Sequence, residues 1–182
     1  MKNHILSAFR LTLVMLVIVG IYLGIVYAGS KILPTQGNAE IINYKGQKFY
    51  ANIGQDFKSP KYFHGRPSAV NYNAAGSAGS NKGPSNEEYL QNVQKRIDTL
   101  KIQNPEMENV KVPVELVTAS GSGLDPDISE DGALYQAKRI AKERNISLEK
   151  IENLIKNHTE KSLFGPSKVN VLKLNIALDN LK

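Results

Sequence analysis

Residues that could do chemistry are sparse in this chain, and most fail on spacing. The three histidines, His4, His64 and His158, lie far apart in sequence and lack the short intervals that aim two imidazoles at one metal. The chain has no cysteine, which excludes disulfides, thiolate nucleophiles and cysteine-held zinc or iron–sulfur clusters. The run from Gly76 to Gly83 (GSAGSNKG) is rich in glycine, as a phosphate cradle would be. A P-loop, however, needs Gly directly before Lys, Ser or Thr after it, and a strand leading in. Here Asn81 precedes Lys82 and Gly83 follows it. Ala75 to Gly79 (AGSAG) imitates a nucleophile elbow around Ser77, with Ala in place of the first Gly and no strand before it. Ser120, in a Ser-Gly-Ser-Gly run, has no elbow frame either.

Two clusters survive. Asp125, Asp127, Glu130 and Asp131 place four carboxylates within seven residues. They could complement the positive N-terminal end of a following helix, at a few tenths to about 1 kcal/mol each, or form a cation-attracting rim. Arg66, inside Tyr62–Ser68 (YFHGRPS), could clamp a partner's carboxylate with its planar fork or bond the carbonyls of its own loop.

The elements that must position these residues begin with Leu11 to Ser30, twenty residues without a charge between Arg10 and Lys31. As a helix this stretch covers about 30 Å, the thickness of a bilayer's hydrocarbon core. Its apolar residues lie all round, so no face suits water. The run exceeds the roughly 7–15 residues of a signal-peptide core, which favours a retained anchor. Val26-Tyr27-Ala28 nevertheless offers a small-residue cleavage site, so a released module stays open. Lys2 and Arg10 favour an N-terminus that stays inside; Lys31, Lys45 and Lys48 weaken that bias. The chain divides into a cytoplasmic tail (1–10), a transmembrane helix (11–30) and an extracytoplasmic domain (31–182). Net charge is +6, and without Lys2 and Arg10 the rest carries +4. With no Lys/Arg run, a nucleic-acid partner is not expected.

Beyond the stalk Pro34–Asn38, Lys48–Gly54 reads as a strand after a Lys45-Gly46 turn. Residues 58–86 form a long loop whose Tyr62, Phe63 and Tyr72 argue for order, because aromatics are costly to leave in water. Ser85 and Glu88 have capping-box spacing, and the helix they open stops before Pro105. Val114–Thr118 reads as a strand entered through Pro113. Ser129 caps a helix running to Arg144, and Ser147 caps another. Val169–Asp179 closes as a strand, with Leu172, Leu174, Ile176 and Leu178 alternating with Lys173, Asn175, Ala177 and Asp179. The fold class is a single transmembrane helix plus one small α/β (α+β) domain.

Three long motifs carry a resemblance. They are Tyr62–Ser68 with Tyr72–Ser77 and Gly79–Asn86; Val112–Ser129 (VPVELVTASGSGLDPDIS) with Tyr135-Gln136 and Arg139–Ala141; and Val169–Asp179 (VNVLKLNIALD). Together with the single N-terminal span, the chain resembles the C subunit of the Kdp potassium-transporting P-type ATPase over essentially its whole length. One stretch departs from that pattern: Thr159–Gly165 is shorter than the glycine-containing loop expected there.

The resemblance implies a non-catalytic accessory and assembly subunit that stabilises a bacterial high-affinity, ATP-driven potassium uptake complex, sited in the plasma membrane. Its partners would be an ATP-hydrolysing subunit, a channel-like subunit and membrane lipid. ATP and potassium would be handled by those partners, with no cofactor or metal bound here and no catalytic residue. The family is also described as a catalytic chaperone that raises the ATP affinity of the hydrolysing subunit. An exported domain without a phosphate loop could do so only by coupling across the membrane. Candidate partner or ion-entry contacts are Arg66, Asn81, Lys82, Asp125 and Asp127. If the carboxylates bias ion entry, neutralising Asp125 and Asp127 together raises the apparent KM for potassium. A membrane-anchored enzyme using Ser77 or Ser120, or a secreted binding module, is the alternative.

Overall fold

The computed structural model describes residues 2–162 and 165–181, so Met1 of the tail and Leu163 and Phe164 of the short Thr159–Gly165 loop lie outside the described residues. Two compact units are present, Met1–Glu40 and Ile41–Lys182.

The first unit is dominated by α1 (Lys2–Ser30). The expected tail is therefore helical, because Ile5, Leu6, Ala8 and Phe9 continue the helix-compatible apolar run towards the N-terminus. His4–Ser30 is long and apolar enough to cross a membrane, at about 40 Å of helix. Its large apolar side chains are exposed all round, as a lipid-facing segment requires. At its end Ser30 Oγ donates to the Tyr27 carbonyl at 2.8 Å, and the Lys31 ammonium lies 5.0 Å from the Tyr27 ring centre.

The second unit is α+β, with two small antiparallel sheets and four α-helices among the described residues. β1 (Ile41–Tyr44) and β2 (Gln47–Tyr50) form a hairpin in which Ile41 faces Tyr50 and Tyr44 faces Gln47. The two residues between them, Lys45 and Gly46, have φ of 50° and 78°, the left-handed pair of the hairpin turn whose twist suits the flanking strands. The strand expected over Lys48–Gly54 thus begins earlier, ends at Tyr50, and has a partner in Ile41–Tyr44 that the sequence reading did not include. The second sheet has the order β3 (Asp127–Ile128), β5 (Lys168–Asn170), β4 (Thr159–Glu160).

α2 (Glu87–Gln103) is capped by Asn86, whose side chain accepts from the Tyr89 N–H at 2.9 Å. The cap sits one residue later than the Ser85 expectation, because the Asn carbonyl reaches the same orphan donors. Ser129 does cap α3 (Glu130–Arg144), accepting from Gly132 N at 2.9 Å, and α4 (Leu148–His158) begins after Ser147. The expected strand at Val114–Thr118 is a 3-10 turn, Val114–Leu116. Both the N–H and the hydroxyl of Thr118 bond back to the Val114 carbonyl, which curls the segment.

The closing segment is also corrected. Only Lys168–Asn170 is strand; Val171–Asn180 is α5. The alternation of Leu172, Leu174, Ile176 and Leu178 coexists with a second pattern, Val171, Leu174, Asn175 and Leu178, at helical spacing. The latter set is buried, and Asn170 starts the helix by accepting from Lys173 N at 3.0 Å. The core that results joins Phe63, Ile140, Ile151, Ile155, Val169, Leu174 and Leu178.

The long loop is ordered, and two buried amides explain how. Asn175 of α5 accepts from the Phe63 N–H and donates to the Phe63 carbonyl, both at 2.9 Å. Gln136 of α3 does the same for His64, at 2.8 and 3.1 Å. The loop backbone therefore runs between the two helices with its polar groups satisfied as in a sheet. Arg139, one turn from Gln136, donates to the carbonyls of Pro60 and Tyr62 and to Asn104 Oδ1. Burial lowers its pKa to about 10, which leaves it charged at neutral pH. Replacing Asn175 with the similar-sized Leu strands two buried backbone groups, at about 1–3 kcal/mol each. Chemical denaturation of the full chain is expected to show a loss of about 2 kcal/mol or more; an unchanged midpoint would contradict the clamp.

Candidate functional site

The clamped loop presents Arg66 to the segment before β3. Arg66 Nη1 donates to Asp125 Oδ2 at 3.0 Å, with both side chains about a quarter exposed. Asp125 Oδ1 accepts from the Asp127 N–H at 3.0 Å, and the Asp127 carboxylate pairs with Lys168 of β5 at 2.9 Å. Two of the predicted residues, Arg66 and Asp125, are thereby brought together, with Asp127 bonded to the second. Both carboxylates direct their charge to partners within the domain. Gly54 N–H donates to Leu124 O at 2.7 Å; a Cβ there would lie 2.6 Å from the Asp125 carbonyl, so only Gly permits this approach.

Asn81 and Lys82 stand apart: among the described residues they share no hydrogen bond or ion pair with Arg66 or Asp125. Lys82 pairs with Glu88 in the first turn of α2 at 2.8 Å, which lowers the Glu88 carboxyl pKa through that hydrogen bond. Asn81 takes a left-handed φ of 53°, which Asn tolerates better than most residues. Glu130 and Asp131 lie in the first turn of α3, where they complement the helix dipole. No group of three potential metal ligands occurs among the described residues.

The remaining chemistry-bearing side chains have structural partners or none. Ser77 Oγ donates to the Ser122 carbonyl at 3.0 Å, and the Ser120 hydroxyl is buried with no bonding partner among the described residues. His64 contacts the Ser59 carbonyl at 3.0 Å. Burial, then the nearby Arg139 charge, lowers its pKa, so it is neutral near pH 7.

Sequence reasoning missed the busiest carboxylate. Asp179, near the end of α5, receives Tyr44 at 2.6 Å, Lys45 at 2.9 Å, Tyr62 at 3.0 Å and Arg144 at 2.7 Å. Arg144 also lies over the Tyr62 ring, 4.7 Å from its centre. One side chain thus ties together the hairpin, the aromatic loop, α3 and α5. Its position on the exposed phase of a supposed strand hid it; the helical reading of Val171–Asn180 would have exposed it.

Comparison with known proteins gives a consistent result. The family described as KdpC, K+-transporting ATPase c chain, matches residues 5–180. The potassium-transporting ATPase KdpC subunit of Flavobacterium johnsoniae is 52% identical over 184 residues, covering 100% of both chains. That of Bacteroides fragilis is 45% identical, covering 98% of this chain and 97% of the relative. That of Herpetosiphon aurantiacus is 42% identical over 96% of each.

The Asp179 hub makes acid stability testable. Burial pushes the carboxyl up, but the four donors outweigh it and hold the pKa well below the usual carboxylate range. The folded chain then binds this proton more weakly than the unfolded chain. The stabilisation is present above about pH 4, the ordinary Asp range, and is lost as pH falls below it. Asp179→Asn is expected to lower the thermal midpoint at pH 7 and to flatten its decline between pH 4 and pH 2.

Proposed function

The chain belongs to the KdpC family of potassium-transporting ATPase c chains, and from that premise we propose that it is a non-catalytic subunit of an ATP-driven potassium uptake complex. The observation that carries this reading is the match over residues 5–180, which takes in all but the first three residues of α1 and all but the last two of the α+β unit. α1 anchors the chain in the bacterial plasma membrane and contacts lipid. The N-terminus lies in the cytoplasm, following Lys2 and Arg10, and the α+β domain lies outside. The partners are the subunit that hydrolyses ATP and the channel-like subunit that carries potassium; this chain binds neither a cofactor nor a metal.

Geometry at the serines supports a non-catalytic role. Ser77 directs its hydroxyl at a backbone carbonyl, and Ser120 Oγ has no hydrogen-bond partner among the described residues; a nucleophile needs a base within bonding reach. Any rise in the ATP affinity of the hydrolysing subunit is then a coupling free energy passed across the membrane, with no contact between this domain and nucleotide. Arg66, Asn81 and Lys82 are the proposed partner contacts outside the membrane. Asp125 and Asp127 serve mainly to hold the Arg66 loop and β5 in place.

Tagged purification from potassium-starved cells in mild detergent tests the assignment. Two larger polytopic proteins in fixed ratio, with potassium-stimulated ATPase activity, are expected. Recovery of the chain alone, lacking its first 28 residues, would replace the subunit reading with a secreted module. Ser77→Ala and Ser120→Ala are expected to leave the ATPase activity of the complex unchanged within about twofold, since surface or unpaired hydroxyls carry little energy; loss of activity with either would point to serine chemistry.

A further inference from the structure

A cleft of about 420 Å3 lies between α2 and the loop that carries Arg66. Phe57, Pro67, Leu100 and Leu116 give it apolar surface, and Lys58, Arg66, Lys95 and Arg96 line it with charge, against Asp56 as the one lining carboxylate. The pairing of these charges is unequal. Lys58 holds Asp56 at 3.1 Å and Arg66 holds Asp125 at 3.0 Å. Lys95 and Arg96 have no ion pair among the described residues. Arg96 is half-buried and spends one donor on the Val117 carbonyl at 2.9 Å. His64, also on the wall, is kept neutral by burial and by Arg139.

Two further features mark the cleft as more than a surface dip. Arg66 Nε is buried with no acceptor among the described residues, an unusual state for a guanidinium donor. Beside it, Asn71 and Tyr72 take consecutive left-handed φ values of 51° and 56°. For an aromatic residue that conformation is strained, and such strain collects at binding sites. The turn is held by Ser68 Oγ, which accepts from Tyr72 N at 2.9 Å, and by the Tyr72 hydroxyl, which donates to the Arg66 carbonyl.

We propose that this cleft seats an acidic segment of another subunit, one Asp or Glu side chain entering between Lys95 and Arg96 with its stem on Phe57 and Leu100. The two cations without carboxylate partners set the sign of the ligand, and the guanidinium supplies the planar fork that a carboxylate fits. The apolar floor favours a side chain on a peptide over a free inorganic anion. The proposal rests on the subunit reading above and names the chemistry of one contact within it.

The test is zero-length carbodiimide cross-linking of the purified complex, which joins lysine amines to carboxyl groups in contact, followed by mass spectrometry. A peptide joining Lys95 to an Asp or Glu of another subunit is expected. The exposed change Lys95→Glu, and separately Arg96→Gln, should weaken retention of that subunit roughly tenfold or more, with the chain's own thermal midpoint measured alongside. Cross-links from other lysines of this chain to its partners, with Lys95 joined to none, would overturn the cleft proposal alone. So would full protection of Lys95 by inorganic phosphate without any partner peptide, or anionic phospholipid lost from the Lys95→Glu complex in place of a protein contact. Purification without any partner subunit would overturn both readings.

Discussion

The α+β unit depends on one requirement: a buried backbone must find partners for its N–H and C=O groups. The segment Phe63–His64 enters the core, where Phe63 is fully buried, and among the described residues no strand pairs with it. Gln136 and Asn175, themselves 0% and 1% exposed, stand in for the neighbouring strands, one amide to each residue. Arg139 extends the arrangement to Pro60 and Tyr62. An ordinary sheet would have fixed the loop with backbone alone. Side-chain amides from α3 and α5 do it here, so the loop is ordered only once both helices are in place.

From that clamp the rest of the exposed chemistry follows. Arg66 leaves the core two residues after His64, and its direction is set by the clamp on one side and by Asp125 on the other. The same loop forms one wall of the basic cleft, whose opposite wall is α2. Charge in the domain is thus divided in function. Asp125, Asp127 and Asp179 are tied to cations within the fold, while Lys95 and Arg96 have no ion pair among the described residues. Such an arrangement, with internal charges satisfied and a few external ones unpaired among the described residues, suits the accessory subunit proposed above.

Much of this was legible in the sequence. The long apolar helix announced itself by an uninterrupted apolar run, and α3 by its Ser129 cap. The order of the long loop was readable from Tyr62, Phe63 and Tyr72. The closing segment was not, because VNVLKLNIALD satisfies period 2 and helical spacing together, and Asn170 decides between them only as a helix cap. The turn at Val114–Leu116 was missed because Pro113 and β-branched neighbours favour strand, while Thr118 folds back on Val114. Asn175 and Asp179 sat on the polar phase of the expected strand, and Gln136 entered only as part of a motif; the role of the two amides needed the loop's path, which is a long-range fact.

The Asp179 hub joins the beginning of this domain to its end. The β1–β2 hairpin is two strands, too little to be stable alone in water, and its side-chain tie to the core runs through Tyr44 and Lys45 to a residue 135 positions later. During synthesis the hairpin leaves the ribosome 135 positions ahead of its anchor. If the chain is exported as it is made, the hairpin must wait in the unfolded state until α5 has followed it. The first sheet can therefore be tied down only after α5 has been made, and a chain without Asp179 would keep that sheet untethered.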